Sequence, residues 1–207
     1  MEQRTLLIML TLDNIIYKNI NISFTIYSSG LFVFKGSPSI VNFIFRSIAG
    51  LNKKKINNIL WNNKKISKIY YLYSSDINLI SQKPSLDSNL TVKQHLNFLS
   101  SLTETKILIN SAILYFELNN FLNKKIKYLT NEEVQRVKLS QLIFSPKTIW
   151  LLENPDQFLP QEWQEKLFNL IATRIKEGGI VITNSDNKIF EKIGQIIKLN
   201  DFATKNI

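Results

Sequence analysis

Residues 128–155 read YLTNEEVQRVKLSQLIFSPKTIWLLENP, and the fold turns on how this stretch is parsed. Thr130 is followed three residues later by Glu133. That is the spacing of a capping box, in which a hydroxyl and a carboxylate satisfy each other's backbone amides at a helix start. Val134, Val137 and Leu142 then recur at intervals that suit one apolar helical face. Ser145-Pro146-Lys147 breaks the helix, and Ile149-Trp150-Leu151-Leu152 follows as a wholly apolar run ending in Glu153-Asn154-Pro155. Such a run suits a central parallel strand covered on both faces. Polar residues at its carboxyl end stand where open α/β sheets place their sites.

The rest of the chain is compatible with one domain, or a domain carrying an inserted lobe, at 207 residues. At 44% hydrophobic and 20% charged it can fill a core and is not disordered by composition. No apolar run reaches the length of a membrane span. The apolar residues after Arg4 read as a first strand, since no small-residue cleavage site follows them. The absence of cysteine excludes disulfides and thiolate metal sites. The net charge of +10 comes from lysine, because Arg4, Arg46, Arg136 and Arg174 are the only arginines. Lys, Asn and Ile stand where other chains use Arg, Ala and Gly, the bias of an A+T-rich genome such as an organelle's. Lys53-Lys54-Lys55 and Lys64-Lys65 lie among asparagines and read as solvated loops. The aromatics are not interleaved with basic residues as stacking platforms for nucleic acid would be.

In chain order, residues 5–14, 21–27 and 31–34 read as strands, with 28–30 as a turn. A loop at 35–39, Lys-Gly-Ser-Pro-Ser, leads to a helix expected over 41–51. Residues 56–62 and 77–84 read as further strands. Thr91 with Gln94 marks another capping box, opening a helix with Val92, Leu96, Leu99 and Leu102 on its buried side. A second helix is expected over 108–122. His95, the single histidine, reads as a helix-surface residue without a metal-binding partner. Residues 161–176 form an amphipathic helix with Trp163, Leu167, Leu170 and Ile171 on one side, Gly178-Gly179 closes it, and 180–183 and 196–199 are strands.

These motifs, in this order, resemble an ABC-type ATPase. Leu129, Thr130, Arg136 and Val137 match its signature helix, and Leu151, Leu152 and Pro155 match its Walker B strand. The stretches 56–62 and 77–92 resemble one branch, the haem exporter ATP-binding subunit of the cytochrome c maturation system, residues 180–183 resemble the family's strand before its switch histidine, and the resemblance runs end to end. It implies an α/β fold: a P-loop NTPase, ABC ATPase-like core with a mixed sheet and an N-terminal antiparallel β lobe (1–90 and 129–207), and a small helical lobe (91–128), all in one domain.

ATP and Mg²⁺ are the ligands the resemblance implies, but the motifs that would hold them are altered. A P-loop cradles phosphate with glycine-freed amides, a lysine and a Mg²⁺-binding hydroxyl. Here Gly36 and Ser37 remain, Pro38 deletes an amide donor, Ser39 follows, Val41 stands at the lysine position and Asn42 at the hydroxyl position. Lys83 falls on the family's Q-loop glutamine, with Gln82 as a substitute. Beside Thr130, Glu132 and Glu133 replace the signature Gly-Gln, and Glu153-Asn154 replaces Walker B Asp-Glu, so the water-activating base is missing. No catalytic residue and no metal ligand set is assigned. The reading is a degenerate subunit docked on transmembrane partners, peripheral to the matrix face of the mitochondrial inner membrane and organelle-encoded. It turns over little or no ATP, binds no specific nucleic acid and is compatible with a homodimer. The alternatives are an active divergent ATPase and a basic nucleic-acid-binding protein.

Overall fold

The architecture, taken from a computed structural model, is described for residues 9–27, 29–82, 86–103, 108–145 and 147–202. Its strands are β1 (Met9–Tyr17), β2 (Ile20–Tyr27), β3 (Gly30–Lys35), β4 (Ile59–Trp61), β5 (Lys64–Lys65), β6 (Ile77–Ile80), β7 (Ile149–Leu152), β8 (Ile180–Thr183) and β9 (Gln195–Lys198). Its helices are α1 (Pro38–Ile48), α2 (Tyr70–Ser74), α3 (Val92–Thr103), α4 (Ile109–Tyr115), α5 (Asn131–Phe144), α6 (Gln161–Lys176) and α7 (Lys188–Ile193).

The strands divide between two sheets. An antiparallel sheet runs β2-β1-β4-β5, and a parallel sheet runs β6-β7-β8-β3-β9. The α/β core and the antiparallel β lobe expected from the sequence are both present. β7 lies between β6 and β8, and all four of its residues are buried, as its apolar run requires. In β3 the side chains alternate between the sheet's two faces. Leu31 and Val33 join one core cluster with Trp150, Leu152 and Val181, covered by α3, α4, α5 and α6. Phe32 and Phe34 join the other with Ile149, Leu151, Ile180 and Ile182, covered by α1 and the antiparallel sheet. Each such side chain contributes about 1.5–3 kcal/mol on leaving water.

Several elements differ from the sequence reading for definable reasons. α1 starts at Pro38, not at 41, with Ser37 as its N-cap. Proline suits the first helical position because its ring presets φ and the amide it lacks would have been unpaired. Residues 56–58 form a 3₁₀ turn before β4 begins at Ile59. The helix expected over 108–122 is two pieces, α4 and a 3₁₀ turn Leu118–Phe121, because Glu117 adopts a left-handed φ of 49° between them. β1 begins, as far as described, at Met9; the expected strand's residues 5–8, the turn residue Ser28 and Pro146 lie outside the described residues.

His95 is buried at 5% exposure, not on the surface, whereas Leu102 is 66% exposed. The reason is periodic: Val92, His95, Leu96 and Leu99 occupy i, i+3, i+4 and i+7, the stripe that faces the core. The Thr91 capping box is intact, with Thr91 N donating to Gln94 Oε1 at 2.8 Å and Gln94 N to Thr91 Oγ1 at 3.2 Å.

α5 also carries its capping box. Glu133 N donates to Thr130 Oγ1 at 3.2 Å, and Thr130 N to Glu133 Oε2 at 2.8 Å. Yet α5 is buried on more than one side, since Gln135, Arg136, Lys138 and Ser140 are buried along with Val137, Leu139 and Leu142. Each buried polar group finds partners, as burial demands. Gln135 Nε2 donates to Pro155 O at 2.8 Å. The Arg136 guanidinium donates to Phe116 O and Glu117 O, where α4 ends, and its Cζ stands 3.8 Å from the centroid of the Trp163 ring.

Candidate functional site

The carboxyl ends of four parallel strands converge on one cavity of about 620 Å³. Its lining combines the turn after β3 (Phe34, Lys35, Gly36), the start of α1 (Pro38, Val41, Asn42), Gln82 after β6, Glu153 and Asn154 after β7, and Asn184 and Asp186 after β8. The position follows from topology, since parallel strands that share a direction deliver their following loops to one edge. Residues 111 apart in sequence meet here: Asn42 Nδ2 donates to Glu153 Oε1 at 3.4 Å.

Glu153 is 7% exposed, and its carboxylate is engaged by the chain itself. Oε2 accepts from Ser81 Oγ and from Gln82 N, both at 3.0 Å. Behind it the Lys138 ammonium donates to Ser81 O at 3.1 Å and Gln82 O at 3.3 Å. Burial pushes the Lys138 pKa below the usual lysine value, and the charge of Glu153 offsets part of that. Sequence reasoning passed over Lys138 and Asn184. Lys138 sits on a helix whose apolar pattern accounts for its neighbours, so no periodic signal marks it.

Asn154 holds a left-handed φ of 43°. Asparagine tolerates this conformation better than most residues. Two bonds fix it: its backbone N–H donates to Asn184 Oδ1 at 2.9 Å, and Nδ2 donates to Gln82 Oε1 at 3.3 Å. Gln82 Nε2 in turn donates to Gln157 Oε1 at 3.0 Å. Gln82 thus spans the cavity's far wall, while Lys83 lies outside the described residues.

On the near wall Gly36 is closely packed, since an added Cβ would come within 2.9 Å of Ile40 Cγ2 and force it to shift. Ser37 Oγ and Ser39 Oγ lie 3.1 Å apart and share a hydrogen bond. The amides of Ile40 and Val41 both donate to Ser37 O at 3.1 Å, inside the first turn of α1. Val41 is only 3% exposed and packs in the core with Ile40 and Ile44. Lys35 does point toward the cavity, but its ammonium is held 2.8 Å from Asp186 Oδ1 and 2.7 Å from Glu191 Oε1. Burial works against its charge, and the two carboxylates outweigh it and raise its pKa above the usual lysine value. Among the described lining residues Lys35 is the one cation, against Glu153 and Asp186.

The start of α5 lies elsewhere. Thr130 lines neither this cavity nor a smaller one of about 230 Å³ beside it, bounded by Asn131, Gln135, Lys138 and Phe158 and sharing Gln82, Glu153 and Asn154. At this helix start Glu133 lies 3.3 Å from Lys124 and Glu132 lies 3.4 Å from Arg136. Of the described sequence-derived residues, Gly36, Val41, Asn42, Glu153 and Asn154 line the cavity, while Ser37 and Ser39, at the start of α1, and Thr130 do not.

A parallel sheet with its cavity at the carboxyl ends, an antiparallel lobe on one face and helices on the other is the architecture of an ABC-type ATPase domain. The chain belongs to the ABC transporter family, whose sequence profile matches residues 42–157. Within that family it is similar to cytochrome c biogenesis ATP-binding export proteins CcmA. The Rickettsia bellii protein is 30% identical over 86% of this chain and 90% of its own length. The Rickettsia conorii protein is 29% identical over 93% of this chain and all of its own. The fold matches a solved ATP-binding protein described as a putative ABC transporter from Pyrococcus furiosus, with a TM-score of 0.75 at 20% identity, covering 95% of this chain and 100% of that one.

Proposed function

We propose that this chain is the ATP-binding-type subunit of a haem-exporter-like complex in cytochrome c maturation, and that it serves by docking on transmembrane partners while turning over little or no ATP. The first half of the reading is supported by its similarity to CcmA proteins across nearly the whole of their length. The second half is carried by one observation: both oxygens of Glu153 are bonded by Asn42, Ser81 and Gln82, so a Mg²⁺ ion would have to share or displace bonds the chain already makes.

The surroundings point the same way. No lysine stands at position 41, the amides of Ile40 and Val41 close the first helical turn, and Lys35 is committed to two carboxylates. A triphosphate entering the cavity would meet Glu153 and Asp186 with no uncommitted cation among the described lining residues. Two like charges about 4 Å apart repel by about 1 kcal/mol in water and about 4 at intermediate screening. Each missing charge-assisted hydrogen bond forgoes about 1.5–3 kcal/mol more. Asn154 has no proton-accepting carboxylate, a loss of about 10²–10⁴ in rate for a general base. The residues present do not fit ATP and Mg²⁺ in the family's manner, so no hydrolytic step is derived. At the start of α5, Glu132 and Glu133 take the place an anion would occupy, and Lys124 and Arg136 neutralise them.

In this reading residues 91–128 are the helical lobe of a single domain. The protein is peripheral to the matrix face of the mitochondrial inner membrane and organelle-encoded, which the Lys-, Asn- and Ile-rich composition supports. Calorimetry with Mg-ATP, alone and with the transmembrane partners co-purified from detergent-solubilised membranes, tests it. The expected result is co-purification, millimolar or weaker binding, and no turnover above background. Val41→Lys alone is expected to restore neither. Micromolar binding, or turnover abolished by Glu153→Ala, would overturn the catalytic half. Absence of membrane partners would overturn the docking half.

A further inference from the structure

The charge of this protein is unevenly placed. Between Asp13 and Asp76 there is no acidic residue, while nine lysines and arginines occur there, so nearly all of the net charge of +10 belongs to that segment. Of those nine, only Lys35 makes an ion pair among the described residues. Lys18 lies in the turn between β1 and β2, and the other seven fall between Arg46 and Lys68. Lys64 and Lys65 form β5, and Lys68 ends the 3₁₀ turn that follows it. α2 comes next and packs back on the end of α1, since Tyr73 Oη donates to Ile48 O at 2.7 Å and the Tyr70 ring lies against Gly50. That brings the turn after α1, with exposed Lys53 and Lys54, next to α2.

Two features separate this surface from an ordinary solvated face. Tyr71 is 88% exposed and Leu72 is 74% exposed, side by side on α2 next to Lys68. Along α1 and the turn after it, a cavity of about 490 Å³ is lined by Arg46, Lys53 and Lys54 together with Asn42, Phe43, Leu51 and Asn52. All of its charged lining is cationic, and its apolar wall adjoins the charges. Lysines around a protruding aromatic and leucine suit a bilayer interface, where cations attract anionic headgroups and the apolar pair enters the headgroup–acyl boundary.

We infer that the surface formed by β5, α2 and the end of α1 binds an anionic phospholipid membrane directly, with the Arg46–Lys53–Lys54 cavity taking a headgroup phosphate. The inference rests on the reading of the protein as peripheral to a membrane and adds a contact that its protein partners do not supply. A lipid surface fits better than nucleic acid because Leu72, exposed beside Tyr71, puts an aliphatic side chain among the lysines. A leucine cannot stack on bases, and lysine offers a point charge in place of arginine's planar, stacking guanidinium.

The test is co-sedimentation of the purified full chain with phosphatidylcholine–phosphatidylglycerol vesicles and with pure phosphatidylcholine vesicles, with single-stranded DNA as competitor. The wild type is expected to bind the anionic vesicles and not the neutral ones, and to release them as salt is raised. The triple variant Lys64→Gln, Lys65→Gln, Lys68→Gln is expected to lose roughly a hundredfold in partitioning, about fivefold per lysine. The double variant Tyr71→Ser, Leu72→Ser is expected to lose about tenfold with its charge unchanged. All of these side chains are exposed, and unchanged thermal melting shows that each variant folds. Equal binding to neutral vesicles, or no binding to either, overturns the proposal. So does a Tyr71→Ser, Leu72→Ser variant that binds as the wild type does while DNA competes fully, which would mark a polyanion site of another kind. Co-purification of the transmembrane partners is read separately: vesicle binding without partners would fail the functional reading and leave this surface standing, and the reverse outcome would do the opposite.

Discussion

Replacing Glu153 by glutamine is the sharpest probe of the cavity. The carboxylate is 7% exposed, so solvent screens it little. It accepts two bonds at 3.0 Å, from Ser81 Oγ and Gln82 N, and a longer one at 3.4 Å from Asn42 Nδ2. It also offsets the burial of the Lys138 ammonium. Glutamine preserves the shape, and its amide oxygen can keep the two short bonds. Its NH₂ group then faces the NH₂ of Asn42, donor against donor, and Lys138 loses its nearby anion. Hydrogen bonds to a charged acceptor are worth about 1.5–3 kcal/mol each, and neutral ones about 0.5–1.5. The expected destabilisation is therefore about 2–4 kcal/mol, read as a lower urea midpoint at unchanged slope. A second replacement, Lys138→Met, should recover part of the loss, because the pair is coupled and the buried cation goes with it. Millimolar Mg²⁺ should shift neither protein. A change below about 0.5 kcal/mol in Glu153→Gln, or Mg²⁺ stabilisation present in the wild type and absent in the variant, would refute the reasoning and make Glu153 a metal ligand.

Two further outcomes follow from buried polar groups. Burial holds the His95 pKa below its ordinary value of 6.5, with Asp87 offsetting part of the shift. The folded state therefore binds that proton less readily than the unfolded state. Stability from this group is complete above pH 6.5 and is lost as the pH falls from there through the folded pKa. Urea midpoints compared above and below that window should show this slope, and His95→Leu should remove it while costing little, since Nε2 has no partner. Arg136→Ala should cost about 3 kcal/mol in chemical unfolding, because it strips the carbonyls of Phe116 and Glu117 at the end of α4 of their donor and removes the cation over Trp163. Arg136→Lys should recover less than half of that, since a single ammonium cannot span both carbonyls and stack.

The sequence is most legible where structure is set by neighbours in the chain. The Thr130 and Thr91 capping boxes, the apolar run of β7, and the bounds of α6 and β8 all follow from residues within a few positions. Legibility fades where a distant contact decides. Glu117 can hold its left-handed turn because Arg136 donates to the carbonyls of Phe116 and Glu117 at the break, and nothing local in residues 108–122 announces that. Around the cavity, motif spacing locates Gly36, Val41, Asn42, Glu153 and Asn154. It does not reveal that Asn42 and Ser81 bond the acid, that Asn184 holds the Asn154 backbone, or that Lys138 stands behind them. Those contacts join residues that share no periodic pattern. His95 is the opposite case, since the i, i+3, i+4, i+7 stripe includes it and only its polarity argued for the surface.

The strand order has a consequence for how the chain is made. β3 carries four buried apolar residues and is held between β8 and β9, with Gly30 opposite Ile180 and Phe32 opposite Gln195. On a ribosome adding about 5–20 residues per second, Leu31–Phe34 would emerge many seconds before either neighbour exists. During that interval a hydrophobic strand has both edges open, the state most prone to mispairing. Closure of the sheet is then a terminal event in folding, and the cavity that depends on it forms only as the last strands arrive. A nascent chain stalled before residue 180 would be a client for chaperones, with α1 and the antiparallel lobe folded on one side of a strand still without partners.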